Sequence, residues 1–133
     1  MTIYLDFDGT VLRHEYPNLG SYNEGCREVL IKLKEAGHDI ILNTMRVEFR
    51  NNSLDEAYQW LEEFIPELKN IKHTNHKIDP LLFDMDNIIN NELFIDDIAD
   101  NIPMKKYTVD SGWCVDWIKL DEIFIKYNLY KKI

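Results

Sequence analysis

Acidic and hydroxyl side chains follow three apolar segments of the chain, and their types and spacing suit metal-dependent chemistry. Asp6 and Asp8 follow the first segment, and Thr44 and Arg46 follow the second. The acids after the third segment are Asp96, Asp97 and Asp100. Crowded carboxylates raise one another's pKa, because like charges oppose ionisation. A hard cation relieves this repulsion, and Mg²⁺ prefers carboxylate, carbonyl and phosphate oxygens. We therefore expect a magnesium site.

These polar groups come at the ends of predicted strands. The apolar runs Thr2–Phe7, His38–Leu42 and Glu92–Ile95 are typical of buried strands. Two further strands are predicted, near Leu68–Lys72 and over Met104–Val109. In an open parallel sheet, ligands bind beyond the carboxyl ends of the strands, so the polar groups are expected to share one site.

Helices are predicted between these strands. Ser21-Tyr22-Asn23-Glu24 and Ser53-Leu54-Asp55-Glu56 both have the S-x-x-E form of a capping box, which marks a helix start. Apolar residues at helical spacing follow, and Gly37 and Pro66 end the two helices. The apolar positions are Cys26, Val29, Leu30 and Leu33 in the first helix, and Leu54, Ala57, Tyr58, Leu61 and Ile65 in the second.

The tail predicts a third helix, from about Trp113 to Tyr130. Its apolar stripe consists of Trp117, Leu120, Phe124 and Tyr127, which are expected to be core residues. Strands that alternate with helices predict an α/β fold with a mainly parallel central sheet in three Rossmann-like layers. No linker divides the chain, so residues 1–133 are expected to form one domain.

Net charge and hydropathy limit the partners and the cellular location that the protein is expected to have. The 133 residues carry 24 acidic and 15 basic side chains, a net charge of −9, which argues against nucleic acid as a partner. No apolar run approaches the roughly 20 residues that span a bilayer, and Asp6 comes too early for a signal peptide. We expect a cytoplasmic protein with no membrane partner. Cys26 and Cys114 are interpreted as small apolar residues.

Three motifs resemble those of the haloacid dehalogenase superfamily. Asp6-Phe7-Asp8-Gly9-Thr10 resembles its first motif, DxDGT, and Ile40-Ile41-Leu42-Asn43-Thr44 resembles its second. Phe94-Ile95-Asp96-Asp97, with Asp100 following, resembles its acidic fourth motif. The resemblance spans residues 3–100, and it implies a haloacid-dehalogenase-like fold and a phosphatase that uses Mg²⁺.

The resemblance also implies roles for these residues. Asp6 would be the nucleophile that forms an aspartyl phosphate, and Asp8 the general acid and base. Thr44 would donate its hydroxyl to a phosphoryl oxygen, and Gly9 and Thr10 would form part of the substrate-binding turn. The Mg²⁺ ligands would be the Asp6 carboxylate, the Asp8 backbone carbonyl and Asp96, with Asp97 and Asp100 as further ligands or holders of bound water.

The family's third motif is a lysine, and here the match is incomplete. The position that holds it in many small members is Asn90. Lys77, 19 residues before Asp96, is the preferred candidate, with Lys72 and Lys69 as alternatives. A solvated loop lysine is the other interpretation of Lys77.

Substrate contacts are expected from two further regions. Arg46 either binds the substrate phosphate or is an exposed arginine at a helix start. Arg13, His14 and Tyr16, in the segment Val11–Pro17, are candidates for leaving-group contacts, or the segment is a structural hairpin. The spacing of the motifs leaves no room for a cap domain, so a second copy of the chain is a candidate for supplying a lid.

The sequence therefore predicts a capless, Mg²⁺-dependent phosphomonoester hydrolase. Its substrate is expected to be a small phosphorylated metabolite, or a phosphoprotein. The alternatives are a nucleotide or polynucleotide phosphatase, and a non-catalytic module that binds phosphate or metal.

Overall fold

The computed structural model describes residues 1–16, 18–49 and 51–132. The described part of the chain contains three α-helices and six strands. In chain order they are β1 (Thr2–Leu5), α1 (Cys26–Glu35), β2 (Asp39–Asn43), α2 (Ser53–Phe64), β3 (His73–Thr74), β4 (Glu92–Ile95), β5 (Met104–Lys105), β6 (Cys114–Val115) and α3 (Trp117–Lys126). Short 3₁₀ helices follow β2 and α2, at Met45–Glu48 and Pro66–Leu68.

A parallel four-stranded sheet lies at the centre, in the order β3-β2-β1-β4. Thr2 of β1 pairs with Asp39 of β2 and Glu92 of β4, and the same register continues along the three strands. Helices flank this sheet, so the protein has the α/β fold that the alternation predicted, consistent with three Rossmann-like layers. Because the strands are parallel and in register, their carboxyl ends reach one edge of the sheet together.

The apolar faces predicted for the helices form the core. Cys26, Val29, Leu30 and Leu33 are buried in α1, Ala57 and Leu61 in α2, and Trp117, Leu120 and Phe124 in α3. They join Ile3, Leu5, Leu42 and Ile95 of the sheet in one contiguous cluster. On the alternate positions, the half-buried rings of Tyr4 and Phe94 stack with their centroids 4.6 Å apart.

Both predicted capping boxes are wrong. α1 begins at Cys26 rather than near Ser21, and its N-cap is Gly25 with a φ of 87°. The side chain of Asn23 is used elsewhere, since its Nδ2 donates to the carbonyls of Thr10 and Val115. Ser53 is the first residue of α2 and is buried, and the N-cap Asn52 makes no side-chain capping bond. The amide of Ser53 instead donates to Oδ1 of Asn51, so tertiary bonds replace the expected cap before α1 and a different local bond replaces it before α2.

Three predicted boundaries also differ. Pro66–Leu68 forms a 3₁₀ helix, so the strand expected near Leu68–Lys72 falls instead at His73–Thr74. The strand expected over Met104–Val109 is limited to Met104–Lys105, which pairs antiparallel with Cys114–Val115. The last helix starts at Trp117, where the Asp116 side chain accepts a hydrogen bond from the Lys119 amide. No helix in the described residues is long and apolar enough to cross a membrane.

Candidate active site

A cavity of about 690 Å³ opens where β1, β2 and β4 end. The residues that follow these strands, Asp6, Thr44 and Asp96, all line it. The predicted convergence of three strand ends is therefore present in the structure. Other lining residues come from loops after β1, β3 and β4, and they include Asp8, His14, Tyr16, Lys77, Asp97 and Asp100.

Three carboxylates meet on the floor of this cavity. One oxygen each of Asp6, Asp96 and Asp97 lies within 4.8 Å of the others. Burial, together with the charges of Asp96 and Asp97, raises the pKa of Asp6 well above its ordinary value, although the Thr10 hydroxyl opposes this effect. Burial and Asp97 also raise the pKa of Asp96 to about 6, against a hydrogen bond from the Ile98 amide. These oxygens suit a hard cation, whose charge would stabilise the ionised forms.

The turn after β1 holds the Asp6 carboxylate in place. Thr10 is fully buried, and its Oγ1 donates a 2.8 Å hydrogen bond to Oδ2 of Asp6. The Thr10 carbonyl accepts two bonds of 2.8 Å, from Asn23 Nδ2 and Trp117 Nε1. Thr10 was expected to contact substrate, but the structure makes it a residue that orients Asp6.

Gly9 allows Asp97 to approach this turn. Its φ is 84°, a conformation that residues with a side chain rarely adopt. A Cβ at this position would collide with the carboxylate of Asp97. The Gly9 amide donates to the Leu12 carbonyl at 2.7 Å, so the contribution of Gly9 to the substrate-binding turn is its backbone conformation and not a free N–H.

Asp8 is paired with Arg46. Nε and Nη2 of Arg46 each donate to a different oxygen of Asp8 at 2.7 Å. The arginine side chain is 0% exposed, and Nη1 donates to the Ser53 carbonyl at 2.9 Å. Arg46 is therefore neither an exposed arginine nor one with its guanidinium free for substrate. It orients Asp8 and ties the loop after β2 to the start of α2.

Thr44 lies at the end of β2 and lines the cavity, as expected. Its Oγ1 accepts a 3.2 Å hydrogen bond from the Arg46 amide, which caps the 3₁₀ helix. The backbone amide of Thr44 donates to Thr74 of β3. The hydroxyl proton of Thr44 has no acceptor among the residues that the structure describes, so it can be donated to a ligand.

Lys77 lines the cavity but does not contact Asp6. Its Nζ lies 3.0 Å from Oε1 of Glu48, and its side chain is 70% exposed. The expected approach of this lysine to Asp6 is therefore absent from the structure. Lys69 and Lys72, the alternatives, line a different cavity beside the amino end of β2. Asn90 lies outside the site and has a positive φ of 57°.

Asp100 and Arg13 also differ from expectation. Asp100 is exposed at the rim and is not part of the group of three carboxylates, because its backbone is bound to Leu81 and Phe83. The guanidinium of Arg13 lies over the ring of Tyr107, 4.4 Å from its centroid, and the residue does not line the cavity. His14 and Tyr16 of the same segment do line it, and Pro17 is outside the described residues.

Two asparagines that position the site were not among the site residues predicted from the sequence. Asn43 exchanges two hydrogen bonds with the backbone of His76, and so fixes the loop that carries Lys77. Asn23 ties the turn after β1 to β6. An amide side chain at a strand end or before a helix is a weak signal, because such residues are also common in solvated turns.

Comparison with known proteins supports the fold but indicates no activity. No protein-family model matches the chain, and no curated protein matches it. A solved structure of a conserved protein coded by a locus of Bacteroides thetaiotaomicron is similar, with 26% identity and a TM-score of 0.53. The match covers 95% of this chain and 89% of that one. The α/β architecture therefore extends over nearly the whole of both proteins.

Proposed function

We propose that the protein is a Mg²⁺-dependent phosphomonoester hydrolase. The observation that carries the proposal is the meeting of the Asp6, Asp96 and Asp97 carboxylates within 4.8 Å, at the carboxyl ends of parallel strands. The sequence resemblance of the three strand ends to the motifs of the haloacid dehalogenase superfamily supports the same activity. Mg²⁺ would supply charge neutralisation for the phosphoryl oxygens and the carboxylates.

The Asp6 carboxylate is the nucleophile in this reaction. One of its oxygens attacks phosphorus, the phosphorus–oxygen bond to the alcohol breaks, and the departing oxygen takes a proton. Water then attacks phosphorus, the bond between phosphorus and Asp6 breaks, and inorganic phosphate leaves. The hydrogen bond from Thr10 to Oδ2 fixes the orientation of Asp6 during both steps.

Asp8 is the proposed proton carrier. It gives a proton to the departing alcohol oxygen and takes one from the attacking water. In the structure both of its oxygens accept from Arg46. Protonation removes the negative charge of the carboxylate, so it weakens both bonds to Arg46, and loss of the proton restores them. The bidentate pair with Arg46 holds the ionised carboxylate in one geometry.

A non-catalytic module that binds metal or phosphate is the second candidate. The pairing of Lys77 with Glu48 favours it, because no lysine of the described residues contacts Asp6. A nucleotide or polynucleotide phosphatase has little support, because the guanidinium of Arg46 is bound to Asp8 and is not free to bind a nucleotide phosphate.

Mg²⁺-dependent release of phosphate from an aryl phosphate tests the proposal. Wild type is compared with Asp6→Asn and with Asp110→Asn, a matched change at an exposed loop residue outside the cavity. Activity should be lost in the first variant and kept in the second. Borohydride reduction of the acid-quenched wild-type enzyme should convert Asp6 to homoserine, the product expected from an aspartyl phosphate. Equal rates for wild type and Asp6→Asn would refute the nucleophile, and Mg²⁺ binding without turnover would support the module.

The proposed substrate is a small phosphorylated metabolite or a phosphoprotein, and a cytoplasmic location is part of the proposal. The acidic net charge of −9 supports such substrates over nucleic acid. A lid supplied by a second copy of the chain is a further element of the proposal.

A further inference from the structure

Three large aliphatic residues lie at the mouth of the site. In the sequence, each directly follows a polar residue that lines the cavity. Met45 follows Thr44, Ile78 follows Lys77, and Ile98 follows Asp97. All three line the cavity, although they come from three separate segments of the chain. The residues are 56%, 41% and 73% exposed, in the order Met45, Ile78 and Ile98.

Scattered exposed aliphatic residues are ordinary, but a group gathered around one cavity is not. Pro80 and Leu81 also line the mouth and extend its apolar wall next to Ile78. Apolar walls with a few convergent polar groups are typical of sites for small organic ligands. A cavity of about 690 Å³ has room for a phosphoryl group and an attached organic group.

The charged residues of the cavity wall disfavour a second anionic group on the substrate. Lys77 is the one lysine or arginine that lines the cavity in the described residues, and it is paired with Glu48. Asp79 and Asp100 line the wall as well. A second phosphate or a carboxylate on the substrate would therefore meet acidic residues with little compensating positive charge.

We propose that Met45, Ile78 and Ile98 form a binding surface for an uncharged apolar leaving group. The preferred substrates are then phosphate monoesters of apolar alcohols, rather than sugar phosphates or bisphosphates. This inference rests on the proposed hydrolase function, because it places the phosphoryl group beside Asp6. It adds that the group on the other side of the ester oxygen is recognised by contact with aliphatic side chains.

Primary alkyl phosphates test this inference, because their leaving groups have similar intrinsic reactivity. We expect kcat/KM to rise from ethyl to butyl to hexyl phosphate, by about two- to fourfold per methylene, since each buried methylene contributes about 0.8 kcal/mol. Hexyl and benzyl phosphate should exceed glucose 6-phosphate by at least about tenfold. A flat series, or a preference for glucose 6-phosphate, would overturn the inference.

Variants locate the effect on the proposed surface. Met45→Gln and Ile98→Asn should each lower kcat/KM for hexyl phosphate by roughly five- to tenfold while changing that for ethyl phosphate less than about twofold. Ile118→Asn is the matched control, since Ile118 is 51% exposed in α3 and lines another cavity. An equal loss for both substrates in Met45→Gln and Ile98→Asn would mean that these residues do not bind the leaving group.

A binding measurement separates this inference from the hydrolase proposal. Phosphonates are not hydrolysed, so calorimetry with hexylphosphonate and methylphosphonate in the presence of Mg²⁺ needs no turnover. Hexylphosphonate should bind at least about tenfold more tightly, and Ile98→Asn should reduce that ratio. Such a result without any phosphatase activity would refute the hydrolase and keep the apolar surface. Equal binding of the two phosphonates would refute the surface even in an active enzyme.

Discussion

Arg46 donates to both carboxylate oxygens of Asp8 at 2.7 Å from a side chain that is wholly shielded from solvent. This is the geometry of a bidentate ion pair, in which the planar fork of arginine matches a carboxylate. Because the pair is buried, removing one partner leaves the other charge without compensation. The pair therefore links the conformation of the proposed acid and base to the stability of the whole fold.

Arg46→Met should lower the free energy of unfolding by about 3–5 kcal/mol, because it leaves Asp8 unpaired in a buried position. Arg46→Lys should recover only part of the loss, since lysine lacks the bidentate fork. Urea unfolding followed by fluorescence measures both. Glu48→Gln, which breaks the exposed pair with Lys77, is the control and should change stability by less than about 1 kcal/mol. Similar losses for Arg46→Met and Glu48→Gln would contradict a special role for the buried pair.

Gly9→Ala should weaken Mg²⁺ binding as well as stability. The added Cβ would collide with Asp97, in addition to the strain of a φ of 84°. Gly37→Ala is a closely matched control, because Gly37 has a φ of 92° with no atom near its would-be Cβ. Both variants should lose about 1–2 kcal/mol from backbone strain, but Gly9→Ala should lose more and should bind Mg²⁺ less tightly by calorimetry. Unchanged Mg²⁺ affinity in Gly9→Ala would remove Asp97 from the metal site.

The stability of the metal-free protein should fall as the pH rises from about 4 through 6. The folded-state pKa values of Asp6 and Asp96 lie above their ordinary values, that of Asp96 at about 6, so the folded protein holds protons that the unfolded chain releases. Stability then decreases with pH across that interval. Mg²⁺ binds the ionised carboxylates, so the rise in Tm that it causes should be larger at pH 7.5 than at pH 5.

Thermal unfolding in EDTA and in Mg²⁺ at several pH values measures this dependence. Asp6→Asn should flatten the pH dependence in EDTA, because a titrating group with a raised pKa is gone. A metal-free stability that increases between pH 4 and 6 would contradict the predicted sign.

Lys77→Met should lower kcat by about 10²- to 10³-fold if the ammonium leaves Glu48 and offsets charge beside Asp6 during the reaction. Lys72→Met should leave kcat unchanged, because Lys72 lines the cavity beside the amino end of β2. Glu48→Gln should increase activity modestly, since Lys77 then has no partner to leave. Full activity of Lys77→Met would show that Lys77 is a surface residue without a catalytic role.

The sequence predicted three central strands and the buried helix faces well, because apolar runs and helical spacing mark them in the sequence. Thr2–Leu5 and Glu92–Ile95 are short apolar runs, and the positions from Cys26 to Leu33 follow a helical stripe. Strand order then placed Asp6, Thr44 and Asp96 at one cavity. The hydrophobic period of a segment is a property of the chain itself, so it can be recognised before the fold is known.

Partners of individual side chains could not be predicted in this way. Arg46 pairs with Asp8, 38 residues away, and Lys77 with Glu48, 29 residues away. Ser21 and Ser53 carry local capping patterns, but Asn23 bonds instead to the distant Thr10 carbonyl, and the Ser53 carbonyl accepts from Arg46. Such choices depend on distances in the folded state, which spacing along the chain does not contain.

The Thr10 carbonyl connects the turn at Asp6 to elements that are made much later in synthesis. It accepts hydrogen bonds from Asn23 and from Trp117, the latter 107 residues further along the chain. During synthesis this bond from Trp117 cannot form until α3 has been made, so until then the turn at Asp6 lacks one of its two ties. The proposed nucleophile is among the first residues synthesised but depends on one of the last elements for its position, and a fragment lacking α3 should bind Mg²⁺ poorly even where its sheet forms.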